Sequence, residues 1–146
     1  MNQRVRFGRI WMLAMVVAFA AVLLAAGEGS KVEAIAPAEA AAQMKAGKAT
    51  LVDVRERSEI EGGMAEGARW YPTSSIKSDP NAYLTFLESI PKDQALVFYC
   101  ASGVRSGKAA ELAREAGRNA ANLGGFKDWK AAGLPVAIPD KTREPG

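Results

Sequence analysis

Histidine is absent from the 146-residue chain, and cysteine occurs once. The first absence removes the Cys-His pair of protease-type nucleophiles, so any activation of a thiol must come from backbone dipoles and cationic side chains. The second excludes an internal disulfide and the Cys/His clusters that hold zinc or iron, and no structural metal and no cofactor is expected. Charge of one sign is scarcer than the net +3 suggests. Arg4, Arg6 and Arg9 are the only charges before Glu28, and beyond them sixteen basic residues meet sixteen acidic ones. A formally neutral domain lacks the basic face that nucleic-acid binding requires, so nucleic acid is not an expected partner.

The one long hydrophobic run is residues 10–26, seventeen apolar positions behind three arginines. Its length lies between a signal-peptide core and a full membrane span, so residues 1–27 read as a signal peptide or an N-terminal membrane anchor. Without a cysteine there, lipoprotein attachment is excluded. The arginines stay on the cytoplasmic side, which makes the domain exported, periplasmic or otherwise extracytoplasmic, and touching the membrane only through 10–26. Residues 28–34 form a linker running into a brief edge strand over 32–35. Residues 35–136 form the domain, and 137–146 an irregular tail.

Within the domain, Pro37 opens a helix over 37–45 that Gly47 stops. A buried strand over 50–54 follows, then a short helix with Ser58 as N-cap, running through Ile60 and Glu61 and broken by Gly62 and Gly63. A third short strand covers 68–71, and 74–79 reads as polar loop. A helix over 80–89 should bury Tyr83, Leu84 and Leu87. After the apolar run 95–99, a helical stripe of Ala109, Ala110, Leu112, Ala113 and Ala116 closes at Gly117. A last strand over 120–123, a turn at Gly124 and Gly125, and a short helix carrying Phe126, Trp129 and Ala132 complete it. Phe126 and Trp129 read as core. Strands alternating with helices predict an α/β fold, an open parallel sheet covered on both faces. In such sheets ligands bind beyond the carboxyl ends of the strands.

Cys100 stands at that position, at the end of the run 95–99. Ala101, Ser102, Gly103 and Val104 lead from it to Arg105, Ser106 and the following helix. A thiol facing a helix N-terminus beside an arginine is favoured as thiolate, and a loop of small residues lets backbone N–H groups converge on an anion. On spacing alone an inert buried cysteine is an equal reading. Arg105 is poor core material and reads as functional. Asp53 and Arg55 at a neighbouring strand end read as supporting residues, with Asp53 pairing a cation or capping a loop. Ser106 reads as a helix cap or a substrate contact, one hydroxyl being able to serve as both, and Trp70 and Tyr71 as pocket lining or core.

Four segments in order, Leu51-Val52-Asp53-Val54-Arg55-Glu56, Gly67-Ala68, the turn from Cys100 to Ser106, and Leu123-Gly124-Gly125-Phe126 with Trp129, Gly133, Leu134 and Pro135, resemble the rhodanese-like sulfurtransferase family. That resemblance implies a five-stranded parallel sheet flanked by helices. It also implies that Cys100 is the nucleophile and carries a sulfane sulfur as a persulfide. The N–H groups from Ala101 to Arg105 would cradle that sulfur, and Arg105 would supply positive charge to a thiosulfate-like anionic donor. The implied acceptor is a thiol or cyanide, or a dedicated acceptor protein. The four residues between Cys100 and Arg105 resemble the six-residue loops of sulfurtransferases rather than the longer loops of phosphatase relatives. Met64 stands where family members often carry histidine. The alternative function is a sulfur carrier or redox sensor that serves one partner without free turnover.

Overall fold

The computed structural model describes residues 31–140, 142 and 144–146. The expected leader over 1–27 and the start of the linker lie outside these residues. Among the described residues no helix is long and apolar enough to cross a membrane.

Five strands make one parallel sheet: β1 (Glu33–Ala34), β2 (Ala49–Asp53), β4 (Arg69–Trp70), β5 (Ala95–Cys100) and β6 (Ala120–Gly125). Their order in space is β1-β6-β5-β2-β4, so β5 is central. Leu96, Val97, Phe98, Tyr99 and Cys100 are all 0% exposed, as a strand with no polar side must be. Alternation then divides them. Leu96, Phe98 and Cys100 enter one core with Val52 and Val54. Val97 and Tyr99 enter the other with Leu51.

Helices cover both faces, as expected. The face of Cys100 is covered by α3 (Thr73–Ser78), α4 (Pro80–Glu88) and α5 (Val104–Glu115), through Ile76, Phe86 and Ala110 among others. The opposite face is covered by α1 (Pro37–Lys45), α2 (Arg57–Ile60) and α6 (Phe126–Ala131), through Ala40, Ile60 and Trp129.

The structure corrects several local expectations. Residues 73–78 are helical rather than loop, because buried Ile76 anchors an otherwise polar turn to the core. The cap of α2 is Glu56, and Ser58 lies inside the helix. Leu84 and Leu112, expected on apolar faces, are 44% and 43% exposed, and Phe86 fills the core position in α4. The tail is ordered where it begins: β7 (Val136–Ala137) pairs antiparallel with β3 (Met64–Ala65), and the Trp129 indole donates to the Pro135 carbonyl at 2.8 Å. Strand β6 extends through Gly125 instead of turning at Gly124. Its register against β5 slips between Phe98 and Tyr99, which pair with Asn122 and Gly124. That bulge bends the end of β6 beneath the turn that follows Cys100.

Candidate active site

Cys100 ends β5, and after three intervening residues α5 begins at Val104. Gly103 makes the turn at φ +98°, the left-handed region that disfavours a side chain. A Cβ there would also stand 3.1 Å from Gly124 Cα, and one on Gly125 would stand 2.6 Å from the Ala101 carbonyl oxygen. Two backbones therefore cross in contact, and glycine lets them do so.

This crossing aims donors at the sulfur. Gly103 N–H donates to Cys100 Sγ at 3.1 Å, and Ser106 Oγ lies 3.4 Å away. Burial pushes the Cys100 thiol up, but hydrogen bonds from the Ser106 hydroxyl and from the amides of Ser106, Ser102 and Gly103 outweigh it and hold the thiol below its ordinary 9.0. Cys100 is wholly buried, with the Val54 and Tyr71 core on one side and these donors on the other. Of the amides expected in the cradle, that of Gly103 donates to the sulfur, and those of Ser102 and of Ser106 in the next turn help to lower its pKa. Ala101, Ser102 and Val104 are exposed on the loop, Val104 at 67%.

Arg105, expected to supply positive charge to an anionic donor, is engaged by a carboxylate of the chain itself. Its Nη1 and Nη2 each donate to a Glu59 carboxylate oxygen at 2.7 Å, and both side chains are about one third exposed. The Arg105 hydrogen bonds, acting against burial, hold Glu59 down to about 2. The guanidinium still interacts with the charge on Cys100, but Glu59 already balances it. Ser106 does not cap α5. It is buried, and its hydroxyl faces Asn122 Oδ1 at 2.8 Å as well as the sulfur.

Asp53 and Arg55, read as supporting residues, lie on the opposite face of the sheet and pair with each other. Asp53 Oδ2 accepts from Arg55 Nη2 at 2.6 Å, and both residues are buried. Arg55 also donates to the carbonyls of Glu59 and Gly63, and lies 4.0 Å from the Phe126 ring centroid. Trp70 and Tyr71 are both core. The Trp70 indole donates to the Arg55 carbonyl at 2.8 Å, and Tyr71 packs 4.5 Å from Phe86, ring centroid to ring centroid.

Two site residues, Glu59 and Asn122, escaped the sequence reading. Glu59 stands at the third position of α2, where its carboxylate accepts from the backbone N–H of Glu56. That position signals a helix start, but nothing local signals its pairing with an arginine 46 residues away. Asn122 carries no local signal at all.

The family model for the Rhodanese-like domain matches residues 36–132. The YqhL protein of Bacillus subtilis is 44% identical over 84 residues, 56% of this chain and 61% of that protein, so the chain spans about three fifths of that relative's length. The thiosulfate:glutathione sulfurtransferase of Homo sapiens is 35% identical over 95 residues, covering 59% of this chain and 83% of its own. Among solved structures, a rhodanese-related protein of Thermoplasma volcanium aligns with a TM-score of 0.60 at 26% identity, covering 73% of this chain and 99% of that one.

Proposed function

The chain belongs to the rhodanese-like domain family, and from that membership we propose that it is a sulfurtransferase, moving a sulfane sulfur from thiosulfate or a similar donor to a thiophilic acceptor through a persulfide on Cys100. The observation that carries the proposal is the sulfur at the end of β5, met by the Gly103 amide and the Ser106 hydroxyl at the start of α5. The sulfurtransferase among its relatives supports the same chemistry.

In the first step the Cys100 thiolate attacks the outer sulfur of the donor. A sulfur–sulfur bond forms to Cys100, the donor's own bond to that sulfur breaks, and sulfite leaves with the bonding pair when thiosulfate is the donor. The negative charge stays on the terminal sulfur of the persulfide, where the amides of the turn stabilise it. In the second step cyanide or a thiolate attacks that terminal sulfur, and Cys100 departs as thiolate. No proton needs to be removed during either step once the thiol is ionised, which suits a chain without histidine. The three arginines and apolar run ahead of the domain support export, with 1–27 as its signal or anchor.

Thiosulfate-to-cyanide transfer, measured beside the intact mass of the protein, tests the proposal. The wild type should gain about 32 Da, one sulfur on the only cysteine, and turn over. Cys100→Ser should keep the fold and lose both. Undiminished transfer by Cys100→Ser would refute the assignment. The full burial of Cys100 favours one second reading, a carrier whose loop opens for a dedicated partner. Stoichiometric loading with negligible turnover would select that reading.

A further inference from the structure

Asn122 lies in β6 beside the start of α5, and both ends of its carboxamide are hydrogen-bonded there. Its Nδ2 donates to the Gly103 carbonyl at 2.9 Å. Its Oδ1 accepts from Gly124 N–H at 3.0 Å and faces the Ser106 hydroxyl at 2.8 Å. These partners fix its orientation, since a flipped amide would set carbonyl against carbonyl and NH₂ against N–H. Glycine leaves room for it: a Cβ on Gly107 would stand 3.2 Å from Asn122 Nδ2.

Ser106 joins this carboxamide to the sulfur. A serine hydroxyl has a single proton to donate, and two acceptors stand within reach, Asn122 Oδ1 at 2.8 Å and Cys100 Sγ at 3.4 Å. A thiol makes little demand on that proton, whereas a thiolate is a strong acceptor for it. The carboxamide and the sulfur therefore compete for one hydrogen bond. The same carboxamide holds Gly103 by its carbonyl while the Gly103 N–H faces the sulfur.

We propose that Asn122 is a positioning residue for the reactive sulfur, holding Gly103 so that its N–H meets Cys100 and sharing the Ser106 proton with Cys100 as the thiol ionises. On ionisation the thiol proton passes to solvent. Ser106 keeps its own proton and turns it from Asn122 to the sulfur. Of the other charged groups near the carboxyl end of the sheet, Arg105 interacts with the charge on Cys100, and two ion pairs hold four of them. Asp53 and Arg55 at the end of β2 pair with each other, as do Glu59 of α2 and Arg105 of α5. The carboxylate of Asp128 in α6 accepts from Gly125 N–H. The inference rests on Cys100 as the reacting group, but thiol titration is read without any sulfur donor. Loss of transfer with the titration intact would sink the activity and leave Asn122 in its role.

The test is the pH dependence of iodoacetamide alkylation at the only cysteine, with thermal melting measured alongside. Asn122→Asp keeps the side-chain size, exchanges the hydrogen bond to the Gly103 carbonyl for a repulsion, holds the Ser106 proton more firmly and adds a negative charge, so the alkylation midpoint should rise by about one pH unit. In a Ser106→Ala background the same substitution should raise it less. An unmoved midpoint with a lowered Tm, or an equal rise in both backgrounds, would reduce Asn122 to a structural part and overturn the proposal. Should Asn122→Asp fail to fold, the side-chain amide signal of Asn122 in the wild type decides by NMR. It should move with the thiol midpoint and stop moving in Ser106→Ala, and a signal stationary in the wild type overturns the proposal equally.

Discussion

Arg55 and Arg105 each meet a carboxylate near the carboxyl end of the sheet, and the contrast between the two pairs separates what holds this fold from what tunes its site. Arg55 and Asp53 are 5% and 0% exposed at the side chain and 2.6 Å apart. Burial opposes the charge of Arg55, but the hydrogen bond and charge of Asp53 outweigh it. Arg105 and Glu59 are 32% exposed each, near solvent and near the sulfur. The pairs are also linked in series. Arg55 Nη1 grips the backbone carbonyl of Glu59 at 3.1 Å, so the buried pair places the residue whose carboxylate restrains Arg105.

The largest effect should come from breaking the buried pair. Asp53→Asn leaves a guanidinium without its counter-charge inside the core, and should cost about 3–5 kcal/mol in urea unfolding. Glu59→Gln should cost about 1 kcal/mol or less, because an exposed pair is screened by water. Equal losses from the two substitutions would erase the distinction between them.

A smaller effect sharpens the contrast through pH. Glu59 is depressed from 4.5 to about 2 in the folded chain, so its contribution is present above 4.5 and lost as the pH falls through about 2. The Tm difference between wild type and Glu59→Gln should therefore shrink across that window, and a difference constant with pH would contradict the pairing. The same variant releases Arg105 from its counter-charge, and the KM for thiosulfate should fall a few-fold with kcat little changed. A KM unmoved by the substitution would remove Arg105 from donor binding.

Which parts of this arrangement could be read from sequence follows from how local their causes are. β5 was legible because five consecutive residues are apolar, and the helix from Pro37 because proline opens it and Gly47 ends it. Asp53, read as pairing a cation or capping a loop, meets both the guanidinium and the backbone N–H of Arg55, two residues on. Ile76 alone anchors the polar helix Thr73–Ser78, and one apolar residue makes no periodic signal. β3 and β7 are two residues each and exist only because they pair, about seventy positions apart. The turn of Cys100, Gly103 and Arg105 stood out as a thiol in a small-residue loop. Glu59 and Asn122 did not, since the crossing of β6 under the turn and the docking of α2 beside it are products of the whole sheet. Leu112 shows the converse error, an apolar residue at helical spacing that faces solvent.

The most direct measurement of the central claim is the ultraviolet titration of the single thiolate in wild-type protein, with Cys100→Ser as the blank. Amides of the turn and the Ser106 hydroxyl should hold the midpoint below 9.0, the ordinary value for this group. A midpoint at or above 9.0 would mean that burial prevails over the donors, and that this turn does not prepare a nucleophile.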